Sequence, residues 1–192
     1  MLFTDMKSYA LENKVPITKD DTISFVCETI DKYKAKQVLE IGTAIGFGSI
    51  VMASETSLEH IDTLEIDETR YNEAIKNIEN YQLSDRITVH LIDAKEYLVK
   101  CTKKYDLVYL DGPKGQYINY LPHIVKLLNP NGIIIADNLH FHGMVTGAIP
   151  VTRGCRAMIK GLKKYIDEIT TNSIFDTKIL NIGDGVGFTM IK

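Results

Sequence analysis

The sequence predicts an α/β fold: a seven-stranded mixed sheet with helices on both faces and an antiparallel hairpin at its C-terminal end. Three observations lead there. Short apolar, β-branched runs recur at QVLEIG, IDTLEID, RITVHLID, YDLVYLDG and GIIIADN. Helix-length stretches lie between them, the alternation that builds a parallel sheet covered on both sides. The tail, DTKILNIGDGVGFTMIK, reads instead as two strands joined by a Gly-Asp-Gly turn, a hairpin on the sheet edge.

The elements follow in order. Two helices are expected at 4–14 and 19–34, separated at Val15-Pro16-Ile17, because the residue before a proline is pushed out of the helical region. After the first strand, LEIGTAIGFGS is a glycine-rich turn that opens a helix. The stretch at 69–82 places Tyr71, Ala74, Ile75, Ile78 and Tyr81 near one helical face. AKEYLVKC, after the third strand, is a short helix. The last helix, from about Arg153 to Thr171, carries Ile159, Leu162, Ile166 and Ile169 at core spacing. With no repeat or long linker, residues 1–192 are expected to form a single domain.

Bulk properties narrow the function. A chain of 192 residues can bury a sizeable core, and 45% hydrophobic with 24% charged residues is ordinary for a globular protein. The longest apolar runs are strand-sized, far short of the roughly 20 residues of a membrane span. The N-terminal stretch lacks a basic start followed by an apolar segment, so no secretory signal is expected. Cys27, Cys101 and Cys155 lie far apart with no CxxC, which favours reduced thiols and a cytoplasmic location. A net charge of −3 gives no global attraction to nucleic acid.

Parallel strands bring their C-termini to one edge, where open α/β sheets place ligands. Here the five runs end at residues 40–42, 65–67, 93, 111 and 137–138, and that edge is acidic at nearly every strand. Gly42, Gly46 and Gly48 let backbone approach a ligand closely. Their spacing is GxxxGxG, with Ala44 where a dinucleotide fingerprint has its second glycine. Glu40, just before them, suits a nucleoside carrying a positive charge better than a pyrophosphate. The other reading is a glycine turn with no ligand. Glu65, 23 residues after Gly42, stands where a carboxylate accepts from ribose hydroxyls, or it is a surface glutamate. Asp93 faces an adenine edge or caps the helix that follows.

Asp111, Asp137 and Asn138 end two strands that lie about 4.8 Å apart if adjacent, close enough to converge on one ion. Two carboxylates and an amide oxygen make a hard oxygen site suited to Mg²⁺. Alternatively, Asp137 and Asn138 cap the turn after the strand. Lys114, three residues after Asp111, is a candidate catalytic lysine. His140 and His142 reach the same place or belong to a solvated loop. Arg153, Arg156, Lys160 and Lys163 form a second stripe on the last helix, either a solvated face or a phosphate-binding one.

Taken together and in this order, VLEIGTAIGFGS, TLEID, YLDGPKGQY, GIIIADN and GDGVG resemble the class I S-adenosylmethionine-dependent methyltransferases over nearly the whole chain. More narrowly they resemble the metal-dependent, catechol-type O-methyltransferases. LEIGTAIG, KGQY and GDG are similar to bacterial tRNA 5-hydroxyuridine methyltransferases. The resemblance implies a Rossmann-like class I methyltransferase fold, S-adenosyl-L-methionine and Mg²⁺ as cofactors, and a cytoplasmic homodimer. By match, Asp111, Asp137 and Asn138 hold the metal and Lys114 is the catalytic base. Glu65 holds the ribose, Asp93 and Ala94 meet the adenine, and Gly42, Gly48 and Asp111 lie on the cofactor side. VPI, before Thr18, closes over the methionine end.

The acceptor implied is the wobble 5-hydroxyuridine of a tRNA anticodon loop, with Arg153 and Arg156 on its phosphates. The alternative is a small catechol-like or phenolic molecule. An ion chelated by two vicinal oxygens would serve either, by orienting the acceptor and lowering its pKa. The sequence departs from the family pattern in two places: Gly48 stands where a serine is common, unless Ser49 supplies that hydroxyl, and Gly112 stands for an alanine. An N-terminal segment of many relatives is mostly absent. Glycine spacing disfavours a dehydrogenase, and retention of Lys114 with Asp111, Asp137 and Asn138 disfavours a binding protein without catalysis.

Overall fold

The computed structural model describes residues 3–192. Seven strands, β1 (Gln37–Ile41), β2 (His60–Glu65), β3 (Ile87–Leu91), β4 (Tyr105–Leu110), β5 (Leu128–Ala136), β6 (Phe175–Leu180) and β7 (Val186–Ile191), form one sheet. Their order is β3-β2-β1-β4-β5-β7-β6. This is the Rossmann-like class I methyltransferase fold, with helices flanking a mixed sheet and a C-terminal antiparallel hairpin. The chain clusters into two compact units, one ending at Ala94 and the other running Lys95–Lys192.

In the first unit, β1, β2 and β3 are parallel, with Ile41 opposite Leu64 and Glu65 opposite Leu91. Their C-termini are therefore level, which brings the acidic residues to one rim. Val38, Leu39, Ile41 and Ile61 are fully buried, as strands covered on both faces demand. Burying each such side chain contributes about 1.5–3 kcal/mol. Helix α1 spans Thr4–Glu12 and α2 spans Asp20–Tyr33, the latter burying Ile23, Val26 and Ile30 along one face. Helix α3 (Phe47–Glu55) is buried through most of its length. Helix α4 (Glu68–Asn80) begins where the Asp67 carboxylate accepts from the Arg70 N–H at 2.9 Å, an N-cap. It buries Ala74 and Ile78.

In the second unit, β4 and β5 run parallel and the β6–β7 hairpin adds antiparallel to β5, pairing Ala136 with Gly187. The hairpin turn needs left-handed backbone at Gly183 (φ 58°) and Gly185 (φ 86°), which glycine adopts without strain. Helices α5 (Ala94–Lys100), α6 (Tyr117–Leu127) and α7 (Arg156–Thr171) flank these strands.

Two details differ from expectation. Residues 153–155 form a 3-10 turn, so α7 starts at Arg156; Gly154 is a poor helix former there. On α7 the buried set is Ile159, Leu162, Tyr165 and Ile169, so Tyr165 occupies the core place expected of Ile166. Among the described residues no helix is long and apolar enough to cross a membrane.

Candidate active site

In the first unit, the rim of β1 and β2 is organised by two buried carboxylates. Glu40 is 1% exposed and accepts from the hydroxyls of Ser49 and Thr63, the latter at 2.6 Å; the Thr43 and Thr63 hydroxyls also bond each other at 2.7 Å. Glu40 thus braces the glycine-rich segment from beneath. This explains Gly48, since a Cβ there would run into Glu40 Oε1. Ser49 does not replace the missing family serine, because its hydroxyl is committed to Glu40.

Glu65 is buried but not idle. Oε2 accepts from Ala44 N–H at 2.9 Å, while Oε1 accepts from Ile66 N–H at 2.9 Å and Asp67 N–H at 3.0 Å. The carboxylate therefore holds Ala44 in its left-handed conformation (φ 48°) and ties the loop after β1 to the end of β2. A carboxylate offers about four lone-pair directions, so one on Oε2 stays open for a hydroxyl. Asn77 of α4 donates to the Ile45 carbonyl at 2.9 Å and pins the far side of the same loop. Sequence reasoning missed Ala44 and Asn77, since a backbone amide and a single asparagine carry no motif signal. Gly42 has φ 110° and Gly46 φ 85°, so both glycines are required by the turn itself.

Asp93 is exposed, directly before α5, with Ala94 as the helix's first residue. Val15-Pro16-Ile17 and buried Thr18 line a groove of about 1090 Å³ between α1 and α2.

In the second unit, the end of β4 places Asp111 and a 3-10 turn, Lys114–Gln116, places Lys114. Lys114 Nζ donates to Asp111 Oδ1 at 3.0 Å. The Leu110 carbonyl, just before Asp111, accepts from the Tyr117 hydroxyl at 2.8 Å and from Asp137 N–H at 3.0 Å, locking the ends of β4 and β5 together. Burial and the neighbouring Asp111 push the Asp137 carboxyl up to about 6, with Asp184 adding to the rise; the Asn138 N–H and Lys114 oppose it. Burial, then Asp111 and Asp137, push the Tyr117 hydroxyl well above its usual range.

The expectation of Mg²⁺ on Asp111, Asp137 and Asn138 is corrected, because the structure gives it no support. Among the described residues no group of three or more His, Cys, Asp or Glu side chains is arranged to hold one. Physically, Asp111 is engaged by Lys114, and Asp137 Oδ1 turns back to accept from Asn138 N–H at 2.7 Å. Asn138 itself adopts left-handed backbone (φ 60°), which asparagine tolerates in turns.

The loop beyond is tied to the hairpin. Asp184 accepts from His142 N–H with both oxygens, at 3.0 and 2.9 Å, and the His142 ring lies 3.6 Å from Asp184 Oδ2. Gly185 is required because a Cβ would strike the His140 ring. Asp184 was visible within the GDG motif, but nothing in the sequence showed what it holds. Arg153 and Arg156 are both exposed. Arg156, Lys160, Lys163 and Lys164, with Asp167, edge a groove of about 550 Å³ on α7.

Fold and rim chemistry define a class, the S-adenosylmethionine-dependent O-methyltransferases. The chain belongs to the O-methyltransferase family, whose model matches residues 4–192. It is similar to a catechol O-methyltransferase of Niastella koreensis, 25% identical over 83% of this chain and 75% of that one. It is equally similar to a caffeoyl-CoA O-methyltransferase of Stellaria longipes, 25% identical over 86% and 71%. A Staphylococcus aureus structure assigned provisionally as a caffeoyl-CoA O-methyltransferase superposes with a TM-score of 0.92 at 29% identity, covering 100% of this chain and 93% of that one. An O-methyltransferase from Bacillus cereus, solved with S-adenosylhomocysteine, shares the fold, with a TM-score of 0.85 at 22% identity over 98% and 89%.

These relatives correct the expected acceptor. Proteins matching most of the chain are named for catechol and caffeoyl-CoA methylation, not for tRNA 5-hydroxyuridine. The tRNA anticodon loop as partner, tRNA processing as role, and Arg153 and Arg156 as its contacts fall with that reading. A basic stripe on a helix is an ordinary feature of a solvated face, and it misled because phosphate recognition has the same sequence signature.

Proposed function

We propose that the protein transfers the methyl group of S-adenosyl-L-methionine to a hydroxyl of a small catechol-like or phenolic acceptor, with Lys114 as the catalytic base. The observation that carries this reading is the shielded Lys114–Asp111 pair at the end of β4. Methyl transfer from a sulfonium is an in-line displacement: the acceptor oxygen attacks the methyl carbon as the carbon–sulfur bond breaks, and S-adenosylhomocysteine leaves. The hydroxyl proton must go elsewhere. Only the neutral amine form of Lys114 can take it, and Asp111 then holds the ammonium so formed through a charge-assisted hydrogen bond.

For the cofactor, Glu65 takes a ribose hydroxyl on its open lone pair, and Gly42 and Gly48 give the close backbone approach. Asp93 and Ala94 flank the adenine, and Thr18 stands beside the methionine end. Asp111, also expected on the cofactor side, serves Lys114 in this reading. A single catalytic domain over 1–192 is carried forward as part of the proposal. Three free thiols support a cytoplasmic setting. A homodimer is carried forward as part of the proposal, tested by sedimentation at micromolar concentration.

The experiment is release of S-adenosylhomocysteine from S-adenosylmethionine by the purified chain, with 3,4-dihydroxybenzoate as acceptor. The reading expects stoichiometric methylated product. No release above the acceptor-free blank across a panel of catechols and phenols would overturn it.

A further inference from the structure

The turn that carries Lys114 is seated on α7 through an unusual contact. Gly115, the next residue, lies with its backbone against the helix: a Cβ on it would sit 3.0 Å from Met158 Cα and 3.4 Å from Met158 Cγ. From the other side, a Cβ on Gly161 would run into the Gly115 carbonyl oxygen and lie 3.1 Å from its carbon. The nearest of these, Met158 Cα and the Gly115 carbonyl, are backbone atoms, which cannot swing aside as a side-chain tip can. One step along, the Tyr117 and Tyr165 rings meet edge to face with centroids 5.5 Å apart. The turn is therefore held at two points, glycine on glycine and tyrosine on tyrosine.

Gly161 stands inside a sixteen-residue helix, where glycine is the poorest choice after proline. Its backbone needs no special freedom there, since its φ is not among the positive ones. What it supplies is the missing side chain. We propose that Gly161 is a positioning residue for the methyl transfer: by letting the Gly115 backbone press into α7, it sets where Lys114 stands relative to Asp111. This rests on the reading of Lys114 as the base. A methyl group at 161 pushes the turn outward by several tenths of an ångström or more. Displacements of about 1 Å at a reacting group cost on the order of a hundredfold in rate.

The test compares the full-length wild type with G161A, K114A and K114A/G161A, with G154A as a control glycine whose Cβ meets nothing within 4 Å. Turnover is measured with 3,4-dihydroxybenzoate, cofactor affinity by calorimetry, and folding by circular dichroism. G161A should lose about tenfold or more in kcat with its S-adenosylmethionine Kd within about twofold of wild type. In the K114A background the same change should cost nothing further, because residues that act through one another are not additive. G154A should behave as wild type.

An arm independent of the acceptor follows acetylation of Lys114 by acetic anhydride, read by peptide mass spectrometry. Loosening the turn should expose the amine and speed its labelling in G161A. Should G161A fail to fold, G115A, whose Cβ has the less severe contact, carries the same comparisons with a smaller loss. Unchanged kcat and unchanged Lys114 labelling in a folded variant would overturn the proposal, as would additive losses in the double variant. K114A with full turnover is a different failure: it removes Lys114 from catalysis and with it the premise.

Discussion

Lys114 Nζ lies 3.0 Å from Asp111 Oδ1, and each of the two side chains is only 18% exposed. A pair so shielded loses less to solvent than a surface ion pair does. Replacing Lys114 with alanine removes the proposed base and its ion pair with Asp111. Turnover should fall by about 10²–10⁴-fold, the usual contribution of a positioned base. The S-adenosylmethionine Kd, measured by calorimetry, should barely change. Raising the pH should restore part of the rate, because the acceptor then ionises in solution. Normal turnover at neutral pH would demote Lys114 to a structural residue.

Glu65 is predicted to matter twice. Glu65→Ala removes both the proposed ribose acceptor and the anchor for the Ala44, Ile66 and Asp67 amides. Hydrogen bonds to a charged group contribute about 1.5–3 kcal/mol, so cofactor affinity should drop roughly tenfold or more. Glu65→Gln keeps the shape and one carbonyl acceptor, and should weaken binding less. Equal Kd values for wild type and alanine variant would place the ribose elsewhere.

Asp137 makes a pH prediction with a definite sign. Its carboxyl rises from 3.8 in the unfolded chain to about 6 in the fold, chiefly through burial. Between those values the native state binds the extra proton, so stability falls as pH rises through the window, and the penalty is complete above about 6. At about 1.36 kcal/mol per pKa unit, it is on the order of 3 kcal/mol at most. Asp137→Asn keeps an oxygen to accept from Asn138 N–H and removes the charge. Urea midpoints should show the variant more stable than wild type at pH 7.5 and indistinguishable at pH 4. A variant less stable at pH 7.5 would mean the charge is compensated.

Burial, with Glu55, Asp31 and Glu28 nearby, pushes the Cys27 thiol up to about 12. Almost none of it is thiolate at pH 8, and the thiolate is the nucleophile. Iodoacetamide under native conditions should therefore modify Cys27 only on unfolding, as peptide mass spectrometry would show. Rapid native labelling of Cys27 would show that the segment around it opens.

Tyr165 carries a fully buried hydroxyl with no hydrogen-bond partner in the structure. An unsatisfied buried hydroxyl costs about 1–3 kcal/mol, so Tyr165→Phe should be neutral or stabilising by thermal melt. A large loss would point to an internal water bonded there.

The strands and their order of use were legible because β-branched runs between helix-length segments leave few arrangements open. The five parallel strands lie where their apolar runs do, and the C-terminal hairpin follows from Gly183 and Gly185. The start of α7 was less legible, since Gly154 weighs against helix only by degree. At the rim, Glu65, Asp111 and Lys114 were identifiable by type and spacing. What they bond was not. Asp137 and Asn138 have the same side chains whether they ligate an ion or cap a turn, and only coordinates show Asp137 folded onto its neighbour's amide. The stripe from Arg153 to Lys163 failed for a similar reason: charge at helical spacing marks a face without naming what meets it. The Gly115–Gly161 contact joins residues far apart in sequence and had no local signature.

The central claim, a small phenolic acceptor, is tested most directly by competition in one tube. The purified chain is given S-adenosylmethionine labelled in its methyl group, 3,4-dihydroxybenzoate and bulk tRNA, and the label is traced by mass spectrometry. The account predicts label in the methoxy group of the small product and none in digested tRNA nucleosides. Label in a tRNA nucleoside with the catechol untouched would contradict it.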